Sequence, residues 1–301
     1  MFSCAQKCEN NSTPFIPLAD LTTSHFMEYT GGKYPDGKNA IPYLHFKSGM
    51  FYAQNIKPLQ PDGSENAQQG KIGFLILGFS TAAMTGNFFK LLCRQQQINN
   101  RIRICIGAQG GMDMNTMINN NTNYWSKVLD VLSDDSLSKK QIQIIWLSTG
   151  DIQAYSLPFP EQSFVQVEKF QKILQTIKVE FPNCKLVFIS DRTYAGYIDA
   201  NALAALAEPT AYYNSWAVKF LIENQIKNIS GFTYDALPFI DWGPMLWTNG
   251  VTGNNAGYSW DCADAGKGGI HPTARGRAKE AALLFLFFKQ HPYTAGLFTS
   301  E

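Results

Sequence analysis

From Lys71 onward, the alternation of apolar and polar positions divides the chain into short apolar runs and longer amphipathic stretches. The runs typical of strands cover residues 72–77, 102–106, 142–147, 186–189 and 237–240. Helical spacing is found near residues 82–96, 123–133, 162–180 and 210–228, and a last helix is predicted from about Thr273. Strands that alternate with helices in this way are joined by right-handed crossovers. We therefore predict a five-stranded parallel sheet with helices on both faces, a three-layer α/β/α fold.

The first predicted strand, residues 72–78, ends at a glycine and is followed by Phe79 and Ser80. Its uncharged sequence Ile-Gly-Phe-Leu-Ile-Leu-Gly is typical of a strand buried on both faces of a parallel sheet. A helical pattern begins directly after it. Because ligands bind at the carboxyl edge of open α/β sheets, Ser80 is the first candidate for chemistry.

Residues 1–70 are interrupted by turn-forming sequences, unlike the rest of the chain. Gly31-Gly-Lys-Tyr-Pro-Asp-Gly37, Pro58 and Pro61-Asp-Gly63 all favour turns, and only residues 48–55 have a helical pattern. We predict an N-terminal extension that packs on a domain formed by residues 71–301. His45 lies in the extension, where we expect a hydrogen-bonded structural histidine.

Composition and charge narrow the possible partners. The 301 residues are 45% hydrophobic, which is enough for a large core. A net charge of +1 without a basic stripe argues against nucleic acid as a ligand. No apolar stretch reaches the roughly 18 residues of a transmembrane helix. No intact secretory signal follows Met1, as in a mature, trimmed or cytosolic protein, and we favour a secreted or periplasmic one.

The six cysteines lack the paired spacing of a zinc site, and we predict no metal or organic cofactor. Cys105 and Cys184 lie in apolar strand-like runs, where core thiols are expected. Cys4 and Cys8 are close enough in sequence to form a disulfide in an exported protein, a pairing that the sequence leaves open.

Polar residues and glycines follow each predicted strand and should share the carboxyl edge of the sheet. In chain order they are Ser80, Gln109-Gly-Gly111, Ser148-Thr-Gly-Asp151, Asp191-Arg-Thr-Tyr194 and the loop 241–271. A serine hydroxyl becomes a nucleophile when a base takes its proton, and histidine is the usual base. We predict that Ser80 and His271 meet there. Backbone N–H groups of Ser80 and of Gly110 or Gly111 are the expected donors to the oxyanion.

These sequence blocks resemble those of the SGNH hydrolases, also called GDSL esterases. The similar blocks are Gly78-Phe-Ser80, the glycines after the second strand, the polar turn after the third strand and Ile270-His-Pro272. The resemblance covers residues 70–290 and implies a flavodoxin-like α/β/α fold and hydrolysis of esters, often acetyl groups on carbohydrates or acyl chains on lipids. Five further blocks resemble an uncharacterised bacterial group of this superfamily: 31–35, 107–111, 192–197, 208–212 and 242–247.

Two positions depart from the family pattern. The aspartate that usually stands three residues before the histidine is replaced by Gly268, so Asp261, Asp264 or a backbone carbonyl would have to orient His271. The asparagine after the third strand, whose side-chain amide donates to the oxyanion, is replaced by Gly150 or Asp151 depending on the alignment. Asn115, Asn119 and Asn123 are possible replacements from the preceding loop.

Asp151, Arg192 and Tyr194 are candidates for substrate binding. Asp151 has the alternative of an N-cap or loop carboxylate, and Arg192 that of a surface arginine paired with Asp191 or Asp199. Ser80 likewise has the alternative of a helix N-cap. The aromatic residues of the last loop are expected mainly in the core. They are Trp242, Trp247, Tyr258 and Trp260.

The sequence therefore predicts an esterase with a Ser80–His271 centre that acts on a small-molecule or carbohydrate ester, with O-acetyl groups among the possible substrates. One alternative is a catalytically degenerate protein that binds a carbohydrate or acyl ligand without hydrolysis. The other is a flavin or nucleotide binder, since the hydroxyls after the first strand could hold a phosphate at a helix N-terminus.

Overall fold

A five-stranded, all-parallel sheet forms the centre of the computed structural model, which describes residues 13–299, apart from the side chain of Ala202. After the short strands β1 (His25–Phe26) and β2 (Tyr29–Thr30), the sheet contains β3 (Ile72–Gly78), β4 (Ile102–Ile106), β5 (Ile142–Ser148), β6 (Leu186–Ser190) and β7 (Phe239–Trp242). The strand order is β4-β3-β5-β6-β7. This order reverses direction after β4 and confirms the predicted flavodoxin-like fold.

Helices cover both faces of the sheet. In chain order they are α1 (Leu18–Leu21), α2 (Tyr43–Gln54), α3 (Ser80–Gln95), α4 (Met114–Ile118), α5 (Tyr124–Asp134), α6 (Glu161–Glu180), α7 (Ala200–Leu203), α8 (Thr210–Ile226), α9 (Ala274–Gln290) and α10 (Ala295–Phe298). Short 3₁₀ turns occur at Pro35–Gly37, Lys139–Gln141 and Gly250–Thr252.

Alternate side chains of the central strand β3 supply the two cores. Phe74 and Ile76 pack with α3, α9 and α10, whereas Leu75 and Leu77 pack with α5, α6 and α8. All seven residues of β3 are buried, as expected for a strand covered on both faces. The layers are therefore helix, sheet and helix.

The fifth strand begins and ends two residues later than the apolar run predicted. The run ends at Ile240, but β7 continues through Asp241 and Trp242. Asp241 is tolerated inside because the hydroxyl of Tyr34 donates to its carboxylate at 2.7 Å. A polar contact supplied by the N-terminal extension thus extends the ladder beyond the apolar run.

The described residues that precede β3, predicted as an N-terminal extension, contribute side chains to both cores. Leu18, Leu21 and Tyr34 are buried in one core cluster and Ile56 in the other. His45 is 1% exposed, its Nδ1 lies 3.0 Å from the Tyr234 hydroxyl, and burial lowers its pKa. This environment suits the expected structural histidine.

The aromatic residues of the last loop are buried, as expected, at 1% exposure for Trp242, 0% for Trp247, 8% for Tyr258 and 2% for Trp260. Within residues 13–299, no helix is long and apolar enough to span a bilayer.

The cysteines fall into two groups. Cys93, Cys105 and Cys184 are free thiols, and Cys105 is fully buried while Cys184 is half-buried. Burial raises the pKa of Cys184 to about 12. Cys262 is disulfide-bonded. Cys4 and Cys8 lie outside the described residues.

Candidate active site

Ser80 stands at the turn between β3 and α3. Gly78 has φ +139°, and a Cβ there would lie 2.0 Å from the carbonyl oxygen of Ser148 on the neighbouring strand. A glycine is therefore required for the chain to pass this close to β5. Phe79 is the N-cap, and Ser80 is the first residue of α3, half-buried at the carboxyl edge of the sheet.

His271 reaches the same point from the opposite end of the domain. Its Nε2 lies 2.9 Å from Ser80 Oγ, although the two residues are 191 positions apart. The backbone around it is fixed: Gly266 N–H donates to the His271 carbonyl at 2.7 Å. Two residues later, Thr273 caps α9 by accepting from Gly276 N–H. The imidazole is thus mounted on the start of a long helix, which limits its movement.

The acidic residue predicted beside His271 has other partners. Asp264 is fully buried, and its Oδ2 accepts from Lys279 Nζ at 2.8 Å and from Asp261 N–H at 3.0 Å. Arg275 Nε lies 3.3 Å from Oδ1. Within residues 13–299, the ring of His271 makes no hydrogen bond other than the one to Ser80. Asp264 therefore stabilises the base of the loop that carries His271.

Two glycines form the turn immediately before Ile270 and His271. Gly268 and Gly269 have φ +79° and +74°, in the left-handed region that disfavours other residues. A Cβ on Gly269 would also lie 2.3 Å from the carbonyl oxygen of Tyr197. The tight turn that delivers His271 to Ser80 thus excludes a side chain at position 269, whereas at position 268 only the backbone conformation favours glycine.

Backbone N–H groups at two places in the chain are candidates to bind the oxyanion. The N–H groups of residues 80–82 precede the first helical bond of α3, which runs from Ala83 to the Phe79 carbonyl at 3.1 Å. Gly111 lines the cavity beside Ser80 and has φ +73°. Both Gly110 and Gly111 are exposed, but Gly110 does not belong to the lining. Of the two glycines predicted, Gly111 is the better placed.

A polar cluster next to the carboxyl edge of the sheet uses the side-chain amide of Asn115 in its hydrogen bonds. Its Nδ2 donates to Asp113 Oδ2 at 2.5 Å and to Asp151 Oδ1 at 2.7 Å. Its Oδ1 accepts from Lys169 Nζ at 2.6 Å, and Lys169 also bonds Asp151. Both hydrogens of the amide are therefore used inside the protein.

Asp151 is an ionised member of this cluster and does not line the cavity. Burial alone would raise the pKa of Asp151, but hydrogen bonds from Lys169 and Asn115 outweigh burial and lower it. A carboxylate cannot donate to an oxyanion. Asn119 and Asn123 are exposed and also lie outside the cavity lining. These three asparagines thus have no place as oxyanion donors in this arrangement.

Ser80 and His271 open onto a cavity of about 280 Å³ with a mostly apolar wall. Its apolar lining consists of Phe79, Ile152, Tyr194, Ala195, Ile198, Leu206, Trp260, Ile270 and Pro272. The charged side chains in its wall are Asp113 and Arg192. Such a cavity suits a small, largely apolar group with one or two polar atoms at its reactive end.

Arg192 follows β6 and is only 7% exposed. Its Nη1 donates to Thr210 Oγ1 at 3.0 Å, and its Nη2 donates to the Leu206 carbonyl at 2.8 Å. The guanidinium carbon lies 5.9 Å from the centre of the Phe79 ring. Burial lowers the pKa of Arg192 to about 10, so the side chain remains a cation at neutral pH.

Tyr194, another predicted substrate-binding residue, is 2% exposed and lines the cavity. Its ring packs edge-on against both Tyr197 and Trp247, with centroid distances of 5.5 and 5.9 Å. Burial raises the pKa of its hydroxyl. Tyr194 therefore contributes a packed aromatic wall.

Glu280 is a buried acid near the cavity that the sequence did not single out. It accepts hydrogen bonds from Thr85 on α3 and from Thr193, which lines the cavity. Burial raises the pKa of Glu280 to about 7. Asp113 and Lys169 were also missed, although the Asp-x-Asn spacing after the glycine block was an available signal for the former. In the described part of the chain, no group of three or more His, Cys, Asp or Glu side chains is arranged to hold a metal ion.

Comparisons with known proteins give remote similarities. No protein-family model and no curated protein sequence matches the chain. A Bacteroides fragilis protein described as an acylhydrolase aligns over 86% of this chain and 100% of its own, with 10% identity and a TM-score of 0.44. A lipase from a goat rumen metagenome aligns over 71% and 96%, with 12% identity and a TM-score of 0.38.

A third solved structure is the C-terminal catalytic domain of Streptococcus pneumoniae peptidoglycan O-acetyltransferase A with a methylsulfonyl adduct. It aligns over 77% of this chain and 99% of its own, with 13% identity and a TM-score of 0.36. At these values no residue role is transferred to this chain, and the function is inferred from the geometry of its site.

Proposed function

We propose that this protein is a serine esterase of the SGNH type that hydrolyses acyl esters. The observation that carries the proposal is the 2.9 Å distance between His271 Nε2 and Ser80 Oγ at the carboxyl edge of the sheet. A hydroxyl within hydrogen-bonding distance of an imidazole is the arrangement that activates a serine nucleophile. The order of the sequence blocks after the strands supports the same class.

In the proposed reaction, His271 Nε2 takes the proton of Ser80 as Oγ attacks the ester carbonyl. The carbonyl electrons move to oxygen, and N–H groups of Ser80 and Gly111 stabilise the resulting oxyanion. The intermediate then collapses, the bond to the leaving alcohol breaks, and His271 returns the proton to that alcohol. Water then attacks the carbonyl carbon of the acyl enzyme while His271 Nε2 takes its proton. The bond to Ser80 Oγ breaks, the carboxylic acid leaves, and His271 returns the proton to Ser80 Oγ. No step requires a metal or an organic cofactor.

The wall of the cavity supports a substrate with a modest apolar group next to the ester. Ile152, Ile198 and Leu206 provide apolar surface, and the rings of Tyr194 and Trp260 add flat walls. We propose acyl esters as the substrate class, with O-acetyl groups on a carbohydrate as one form. Arg192 and Tyr194 would contact substrate. Asp151 would act indirectly, by holding Asn115 and Lys169 in place.

A degenerate binding protein is the second candidate, because the ring of His271 has no acidic partner among the described residues. Such a protein would bind an acyl or carbohydrate ligand without turnover. In this alternative, the cavity would serve binding only, and Ser80 would be an ordinary residue at the start of α3.

The test is labelling with a fluorophosphonate probe together with hydrolysis of nitrophenyl acetate, butyrate and octanoate. We expect the wild type to be labelled and to hydrolyse at least one of these esters, and Ser80→Ala to lose both properties. Ser126→Ala, which changes an exposed helical serine, is the matched control and should behave as wild type. A wild type that is neither labelled nor active on any ester would overturn the esterase proposal.

A further inference from the structure

The side chain of Arg192 crosses the space above Gly150. A Cβ on Gly150 would lie 2.6 Å from Arg192 Cδ, and the other atoms near it belong to the same arginine. The φ of Gly150 is not in the left-handed region. The backbone conformation at position 150 would therefore allow a residue with a side chain. The space that this side chain would need is filled by Arg192.

The register of the sheet shows the direction in which the Arg192 side chain extends. Gly78, Ser148 and Ser190 are paired across β3, β5 and β6. Ser80, Gly150 and Arg192 each follow this row by two residues. Adjacent strands are about 4.8 Å apart, so an arginine that leans over position 150 extends from β6 toward β3. The contact of its guanidinium with the ring of Phe79, the residue before Ser80, confirms this direction.

The guanidinium has donors to spare. Of its five N–H groups, Thr210 Oγ1 and the Leu206 carbonyl accept two. Among the described residues, Arg192 makes no ion pair. The charge of Glu208 acts to raise the pKa of Arg192. The Glu208 carboxylate accepts its hydrogen bonds from other groups, namely the N–H groups of Ala195 and Tyr212 and the Trp247 indole.

A buried cation without a paired carboxylate is costly to keep. It becomes useful where negative charge develops during a reaction, because a fixed donor in a water-poor site stabilises that charge strongly. Arg192 lines the same cavity as Ser80 and His271. We infer that Arg192 is the side-chain donor to the oxyanion, a role that rests on the proposed esterase function.

In this role Arg192 gives up no proton. As Ser80 Oγ bonds to the carbonyl carbon, the carbonyl electron pair moves to oxygen, and a guanidinium N–H donates a hydrogen bond to that oxygen. When the bond to the alcohol breaks, the carbonyl reforms and the hydrogen bond weakens. The interaction is strongest in the transition state, so its loss should lower kcat more than it changes KM.

The first test compares Arg192→Met and Arg192→Lys with wild type on a neutral ester, nitrophenyl butyrate. We expect Arg192→Met to lower kcat by about 10²–10³ with KM changed by less than about threefold, and Arg192→Lys to recover part of the loss. Arg103→Met, on the edge strand β4, is the control. Binding of a butyl boronic acid, which forms an anionic tetrahedral adduct on serine, should weaken by a factor similar to the loss in kcat.

The second test displaces the arginine without removing it. Gly150→Ala places a methyl group against Arg192 Cδ and should lower kcat, whereas the same change in the Arg192→Met background should have no further effect. If Arg192→Met does not fold, Gly150→Ala alone still tests the proposal, because it keeps the arginine, and the cycle is then completed with Arg192→Lys in place of Arg192→Met. Wild-type kcat in Arg192→Met, or additive losses in the cycle, would overturn the inference. A loss confined to KM would overturn it too, because it indicates ground-state binding. An inactive wild type would instead refute the esterase proposal.

Discussion

Backbone geometry decides which side chains can stand beside Ser80 and His271. Gly78 is required by its contact with β5, and Gly269 by its contact with the Tyr197 carbonyl. The sequence could predict that Ser80 and His271 share an edge, because both follow from strand ends and chain order. It could not predict the unused donors of Arg192, because these depend on the direction of a long side chain.

The role of Asp264 can be tested at the scale of single residues. If Asp264 only holds the loop that carries His271, Asp264→Asn should lower stability by about 2–3 kcal/mol, since a buried carboxylate loses its ion pairs. Lys279→Met removes one of the same contacts. The two variants should therefore lower kcat by similar factors. The measurements are thermal unfolding and nitrophenyl ester turnover.

A different result would restore the role predicted for Asp264 from the sequence. If Asp264→Asn lowered kcat far more than Lys279→Met at matched stability, the carboxylate would act on His271 itself. Glu168→Gln, an exposed change on α6, provides the baseline for both measurements.

At the scale of elements, the predicted strands and long helices correspond closely to those of the structure, because each has a strong apolar pattern. The predicted helix 123–133 is α5, and 162–180 is α6. The short helices α4 and α7 were missed, since four or five residues carry too little periodicity to detect. β7 begins and ends later than predicted because Asp241 is buried with a hydrogen bond from Tyr34, a residue more than two hundred positions away.

The contact between α3 and α9 should make stability depend on pH through Glu280. Its pKa is raised from 4.5 to about 7, so the folded state favours the protonated acid. This contribution to stability is complete below pH 4.5 and is lost as the pH rises through 7, an effect of about 3 kcal/mol. Asp191, whose pKa burial also raises to about 7, adds to the same trend.

Glu280→Gln should therefore reduce the difference in unfolding free energy between pH 5 and pH 8 by about 2–3 kcal/mol. Denaturant titrations at the two pH values measure this difference. Glu168→Gln should leave it unchanged, because that carboxylate is exposed. An equal pH dependence in wild type and Glu280→Gln would show that Glu280 does not titrate in this interval.

At the scale of the whole molecule, the extension and the domain share their buried polar contacts. Lys219 on α8 donates to the carbonyls of Gly31 and Tyr34 at 3.1 and 3.0 Å. The indole of Trp242 on β7 donates to the Lys33 carbonyl at 2.8 Å. These bonds cross from residues 31–34 to the last third of the chain, which favours one cooperative unit.

The hydroxyl of Tyr34 gives the sharpest test of that unity. Tyr34→Phe keeps the ring but removes one of the two donors to Asp241 Oδ1, the other being the Trp242 N–H. This carboxylate is 1% exposed and has no hydrogen bond to its other oxygen within residues 13–299. Because a hydrogen bond to a buried charge is lost, we expect a cost of about 2–3 kcal/mol. Unfolding followed by far-ultraviolet circular dichroism and by tryptophan fluorescence should remain one transition, shifted to lower denaturant. Tyr43→Phe, which changes a ring that is 71% exposed, should not shift it. If Tyr34→Phe instead produced a separate early transition while the sheet stayed folded, the extension would be an independent unit, and its contacts with β7 and α8 would stabilise only itself.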